Sequence, residues 1–137
     1  MSGSNLISVN AATGRGKYRL FSEAKLVGND IIILIWGGTK PHIGSVCVAL
    51  PRPSCSNPHN NSSTSSVYNF PAHKDDLISK MFGEKIAATF NTNTVTTAGI
   101  HLPDITKSGL NKIIKNAEIL CSLLIKKLER LNWKKAE

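Results

Sequence analysis

At 137 residues, 41% of them hydrophobic, the chain has room for a single domain whose core needs no covalent staple. Its three cysteines, Cys47, Cys55 and Cys121, are odd in number and far apart with no CxxC spacing, which argues against a disulfide framework or a Cys-rich metal centre and fits a reducing, cytoplasmic setting. The formal charge of +8, from 17 Lys and Arg against 9 Asp and Glu, invites a nucleic-acid partner, but no RNP-type aromatic motif, helix-turn-helix pair or KH-type GxxG loop supports one.

Residues 1–16 read as an N-terminal extension that lacks the basic and apolar segments of a secretion signal. From residue 17, KYRLFSEAKLVG alternates as a half-buried strand, GND at 28–30 is a turn, and Ile31 to Trp36 follows as a central strand, so the pair predicts a hairpin. That apolar run is far too short to span a bilayer, and no membrane partner is expected. A third strand over 44–50 is closed by PRP, whose prolines remove ladder donors. The Ser/Asn-rich stretch that follows has no periodicity and predicts a flexible insertion, bounded at 51–70.

Residues 74–90 predict a helix with Asp75 and Asp76 in its first turn, where carboxylates complement the exposed amides. TNTVTTAGIHL at 92–102 predicts a threonine-rich strand with Thr94, Thr96, Ala98 and Ile100 on one face and Thr97, Gly99 and His101 on the other. Asp104 or Thr106 caps a long C-terminal helix, on which Leu110, Ile113, Ile114, Ala117, Cys121, Leu124, Leu128 and Leu131 form the stripe expected to meet the sheet. Ile119 and Leu123 fall outside it, among lysines, and are either two scattered surface apolar residues or a small contact patch for a second copy of the chain. Much of the positive charge lies on the polar side of this helix and in a basic tail, 132–137, and so reads as a solvated face. The domain proper is 17–131, an α+β fold with an antiparallel sheet in the order β β β α β α.

The corner GGTKPHIG, 37–44, interrupts two strands with glycines and a stiffening proline and carries His42. Neither GxxxxGK[ST] nor GxGxxG is present, so the glycines alone are weak grounds for a nucleotide. His73 and His101 sit at comparable element ends. The three histidines either converge on one cleft suited to an anion, with Lys74 and a helix N-terminus, or each satisfies local backbone groups. With no HxH or HExxH spacing, no metal is expected.

GGTKPHIG at 37–44, HKDDLIS at 73–79, TTAGIH at 96–101 and ITK at 105–107 resemble, in order and type, the family of small accessory proteins of gallate decarboxylase, the prenylated flavin chaperone-like proteins. The resemblance runs from about residue 17 to 128 and leaves out 1–16 and 51–70. It implies a fold similar to the proteasome assembly chaperones, commonly dimeric, and a non-catalytic accessory role beside the large catalytic subunit of a decarboxylase acting on gallate- or hydroxybenzoate-type aromatic acids. Prenylated FMN or FMN would be handled or transferred rather than used. On the matched positions, the cofactor-binding candidates are Gly37, Gly38, Thr39, His42, Gly44, His73, Lys74, Thr97, Gly99 and His101, with no catalytic residue assigned. Two other readings stay open: a small flavin-using enzyme with a His-lined site, and a homodimeric structural module that binds no small molecule.

Overall fold

The computed structural model describes residues 6–71 and 75–133. Its elements, in chain order, are β1 (Ser8–Thr13), a 3-10 turn (Gly16–Tyr18), β2 (Leu20–Val27), β3 (Asp30–Gly38), β4 (Ser45–Pro53), β5 (Asn61–Asn69), α1 (Asp76–Phe90), β6 (Thr94–His101) and α2 (Lys107–Leu131). The strands form one six-stranded sheet in the order β1-β2-β3-β6-β4-β5. The α+β class holds, but the sheet is mixed rather than antiparallel throughout. After α1 the chain re-enters the middle of the sheet, so β6 runs parallel to β3 and antiparallel to β4. The β β β α β α order also gains two strands, β1 and β5.

The β2–β3 hairpin is as expected, with Val27 opposite Asp30 and Gly28 at φ +62 in the turn. β1 lies within the segment expected as an extension. It pairs with β2 from Ser8 to Thr13, and Val9 and Ala11 point into the core. With Val9 its one large apolar residue, it lacks the apolar alternation that announces a strand.

β4 does not stop at the prolines. Pro51 and Pro53 continue it opposite Ser63 and Asn61 of β5, while its pairing with β6 ends at Ala49. Two residues apart, the prolines face the same way, and beyond Ala49 that side of the strand has no neighbour to receive an N–H. The Ser/Asn-rich segment expected as a flexible insertion is therefore largely a hairpin: Ser54 to Asn60 forms the turn and 61–69 the edge strand β5. Hydroxyls anchor this strand where apolar side chains would normally do so. Ser63 donates to the Glu84 carbonyl at 2.9 Å and Ser65 to the Glu84 carboxylate at 2.6 Å, tying β5 to α1.

Both helices cover the same face of the sheet, α1 over β4, β5 and β6, and α2 over β1 and β2. Thr106 caps α2 by accepting from Gly109 N at 3.0 Å, and Asn132 ends it in the left-handed conformation. The buried stripe of α2 runs through Ile113, Ala117, Leu120, Cys121, Leu124 and Leu128. Leu110 and Leu131, expected to meet the sheet, are exposed instead, because they sit at the two ends of a helix longer than the sheet beneath it. Ile119 and Leu123 are exposed, as expected.

Candidate functional site

The sheet order dictates the corner at 37–44. β6 lies between β3 and β4 and runs parallel to β3, so the chain leaving β3 must cross the carboxyl end of β6 to begin β4. The crossing is close. Thr39 donates its N–H to the His101 carbonyl at 2.8 Å, and Gly44 donates to Ala98 O at 2.8 Å. A Cβ on Gly99 would fall inside the van der Waals radius of the His42 carbonyl, and one on Gly38, at φ +77, would strike the His101 carbonyl. Three of the candidate glycines thus have a mechanical reason to be there, since Gly44 likewise leaves room for the Asp75 carboxylate.

This crossing aims the His42 ring at the start of α1. Nδ1 lies 2.9 Å from the Lys40 carbonyl, which only accepts, so Nδ1 carries the hydrogen. Nε2 lies 3.3 Å from Asp75 Oδ2, an ion-pair contact whenever the ring is protonated. The His101 ring stands edge-on to His42 with centroids 6.3 Å apart. Two of the three histidines therefore meet. His73 and Lys74 lie outside the described residues, and Thr97 is on the opposite face of the sheet, beside Leu34 and Val46, away from the cleft.

Asp75 was legible as a helix-start residue, but its carboxylate makes no cap bond. Buried, with 8% of its surface exposed, it accepts from the Ile100 N–H at 3.1 Å through Oδ1 and faces His42 through Oδ2. That arrangement bolts the start of α1 to the end of β6. Beside it opens an apolar cleft of about 410 Å³ between the first turns of α1 and α2 and the end of β6. Leu77, Ile105, Leu110 and Ile114 line it, with Asp75 and His101 at its polar end. Sequence reasoning missed these apolar wall residues. Their one available signal was that Leu110 opens the α2 stripe a full turn before the sheet begins. Among the described residues no group of His, Cys, Asp and Glu is arranged to hold a metal ion, and no helix is long and apolar enough to cross a membrane.

A mixed sheet with both helices on one face is an architecture shared with proteasome assembly chaperones. A chain from a crystal structure of a chaperone complex for yeast 20S proteasome assembly superposes with a TM-score of 0.58 over 91% of this chain and 96% of that one, at 16% identity. The sequence narrows the class further. Residues 14–129 match the prenylated flavin chaperone LpdD-like domain, and the chain belongs to that family. It is 30% identical over 103 residues to Protein LpdD of Lactiplantibacillus plantarum (strain ATCC BAA-793 / NCIMB 8826 / WCFS1), covering 72% of this chain and 68% of the relative.

Proposed function

We propose that the protein is a non-catalytic accessory protein that holds or delivers prenylated FMN, or its FMN precursor, for an aromatic-acid decarboxylase of the gallate or hydroxybenzoate type. It would act in the cytoplasm as a homodimer beside the large catalytic subunit. The observation that carries this reading is the cleft. Its size lies within the range of small-molecule sites, and an apolar wall with a few polar groups at one end suits a flavin-type ring system better than it suits a sugar or a free phosphate. The buried Asp75 carboxylate at the start of α1 disfavours a phosphate directly against that helix end, so the ring portion is assigned to the cleft and the phosphate to its open side. His101, exposed at the polar end, is the donor placed to orient the ring. Gly38, Gly44 and Gly99 hold the crossing that supports it.

Titration of the purified chain with prenylated FMN and with FMN, followed by visible absorption and flavin fluorescence, tests this. Saturable binding that is lost in Leu110→Lys, together with faster activation of a cofactor-free decarboxylase by the wild-type chain, is expected. Absence of both binding and activation would overturn the proposal in favour of a structural module that binds no small molecule. The meeting of His42, Asp75 and His101 favours one further reading, a small flavin-using enzyme with a His-lined site. Turnover of hydroxybenzoates by this chain with cofactor but without the large catalytic partner would establish it.

A further inference from the structure

Both helices lie on one face of the sheet, and among the described residues no element covers the other face. Strand alternation and register gather apolar side chains there, with Thr97 between Leu34 and Val46. Ile32 is opposite Val95, which is opposite Val48, and on the next row Val46 is opposite Tyr68. Phe21 stacks on Trp36 at 5.8 Å, extending the surface onto β2. Val48 is 43% exposed and Tyr68 64%. An uncovered central sheet face of this character marks an interaction surface rather than ordinary scatter of surface apolar residues.

We infer that this bare face is the interface between two copies of the chain; the inference rests on the homodimer reading above and names its surface. Area is the first argument. Six strands about 4.8 Å apart and about 25 Å long present roughly 600 Å² in projection, and side-chain relief brings that to the roughly 800 Å² per partner of a standard interface. Charge is the second. The charged side chains of this face already have company: Glu23 and Lys25, opposite Leu34 and Ile32 in register, pair with each other at 2.9 Å, Arg19 lies over the Phe21 ring, and Arg52 donates to Thr64 at 2.7 Å. An apolar centre whose Glu23 and Lys25 are paired within the face, and whose Arg19 and Arg52 are held by a ring and a hydroxyl, can meet its own copy across a two-fold axis.

The competing surface is the patch of Ile119 and Leu123 on α2. Glu118 and Lys126 flank it, Lys115 is exposed one turn before it, and the chain carries a net charge of +8. Pairing through α2 would bring two such basic surfaces together. Pairing through the bare sheet face turns them to opposite ends of the assembly, where repulsion between them is screened.

Analytical ultracentrifugation of the full chain and its variants, with circular dichroism as the check on folding, tests the assignment. The wild type is expected at twice 14.8 kDa at micromolar concentration. Val48→Lys should weaken the dimer by at least about tenfold, whereas the double variant Ile119→Lys, Leu123→Lys should leave it within about twofold. A monomeric wild type would overturn the homodimer reading itself. A dimer that survives Val48→Lys and falls apart in the α2 variant would overturn only the surface named here. Should Val48→Lys fail to fold, dilution of Trp133→Phe reads the same question through Trp36. Its emission should move to the red as the dimer dissociates, and emission unchanged through dissociation would count against the sheet face.

Discussion

The two halves of the molecule are built from different materials. Under α2, the core is aliphatic: Leu20, Leu26, Ile31, Ile33, Ile35, Leu120, Leu124 and Leu128 are all buried. Under α1, the sheet contributes Ser45, Cys47, Ala49, Thr94 and Thr96, and α1 answers with Ser79, Gly83 and Ala87, while its Ile78, Phe82 and Ile86 join the aliphatic cluster. There Ser45 donates to Ser79 at 2.8 Å and Thr94 to the Gly83 carbonyl at 3.0 Å. The aliphatic half supplies burial, which is non-directional and tolerant of sliding. The small, hydroxyl-bearing half lets α1 approach closely and fixes its position by directional bonds. It is the second half that decides where Asp75 stands relative to His42, so the site depends on the weaker core.

The largest effect should come from the aliphatic half. Leu124→Ala removes a fully buried side chain from the centre of the α2 contact and should cost about 2–5 kcal/mol in urea unfolding. Flavin binding at saturating cofactor should survive at temperatures where the variant is folded, because Leu124 is remote from the cleft residues. A variant that folds fully but has lost the cleft would show that the two halves are not separable in this way.

Asp75→Ala should cost less, about 1–3 kcal/mol, by stranding the Ile100 N–H and the His42 Nε2 edge. Asp75→Asn keeps an acceptor for Ile100 and offers an amide donor to Nε2, so it should recover most of that loss. Equal losses in the two variants would mean that the carboxylate charge, rather than the hydrogen-bond geometry, holds α1 in place.

How far the sequence could be read follows the same division. The aliphatic half announces itself through alternation in β2 and β3 and through the three-and-four spacing of α2, and those elements lie where the pattern puts them. β5 carries no such pattern. Its inward serines reach Glu84 on α1, a contact visible only once the helix is in place. For the site, the glycine corner marked the crossing, and His42 and His101 do meet, because both belong to segments that the sheet order forces together. The role of Asp75 was hidden. Its position at a helix start suggests a cap, and only the crossing of β6 by the 39–44 segment supplies the His42 ring that gives its carboxylate another partner.

Each half holds one buried cysteine, and thiol chemistry compares them without mutation. Burial pushes the Cys121 thiol up to about 11 and also raises that of Cys47, while Cys55 is exposed. A disulfide reagent at pH 8 should therefore label one thiol per native chain and three in denaturant. In the unfolded chain Cys121 ionises near 8.5, so between about 8.5 and 11 the unfolded state binds fewer protons than the folded one. Stability should fall as pH rises through that window, by at most about 1.4 kcal/mol per pH unit from this group. Rapid labelling of a second native thiol would identify Cys47, and with it an α1 half that opens independently of the rest.

The smallest effect separates two threonines on one face of one strand. Thr94 donates to the Gly83 carbonyl, so Thr94→Val removes a made hydrogen bond and should cost about 1 kcal/mol. Thr96, two residues on and equally buried, has a hydroxyl with no hydrogen-bond partner among the described residues. Its desolvation is unrepaid in the folded state, and a Val side chain of nearly the same shape removes that cost without opening a cavity. Thr96→Val should therefore raise stability by about 0.5–1 kcal/mol, the opposite sign to its neighbour. Paired urea titrations of the two variants, with equal slopes, read the difference directly. Loss of stability in both would mean that Thr96 finds a partner in solution, with the Cys47 side opposite it in register as the place to look.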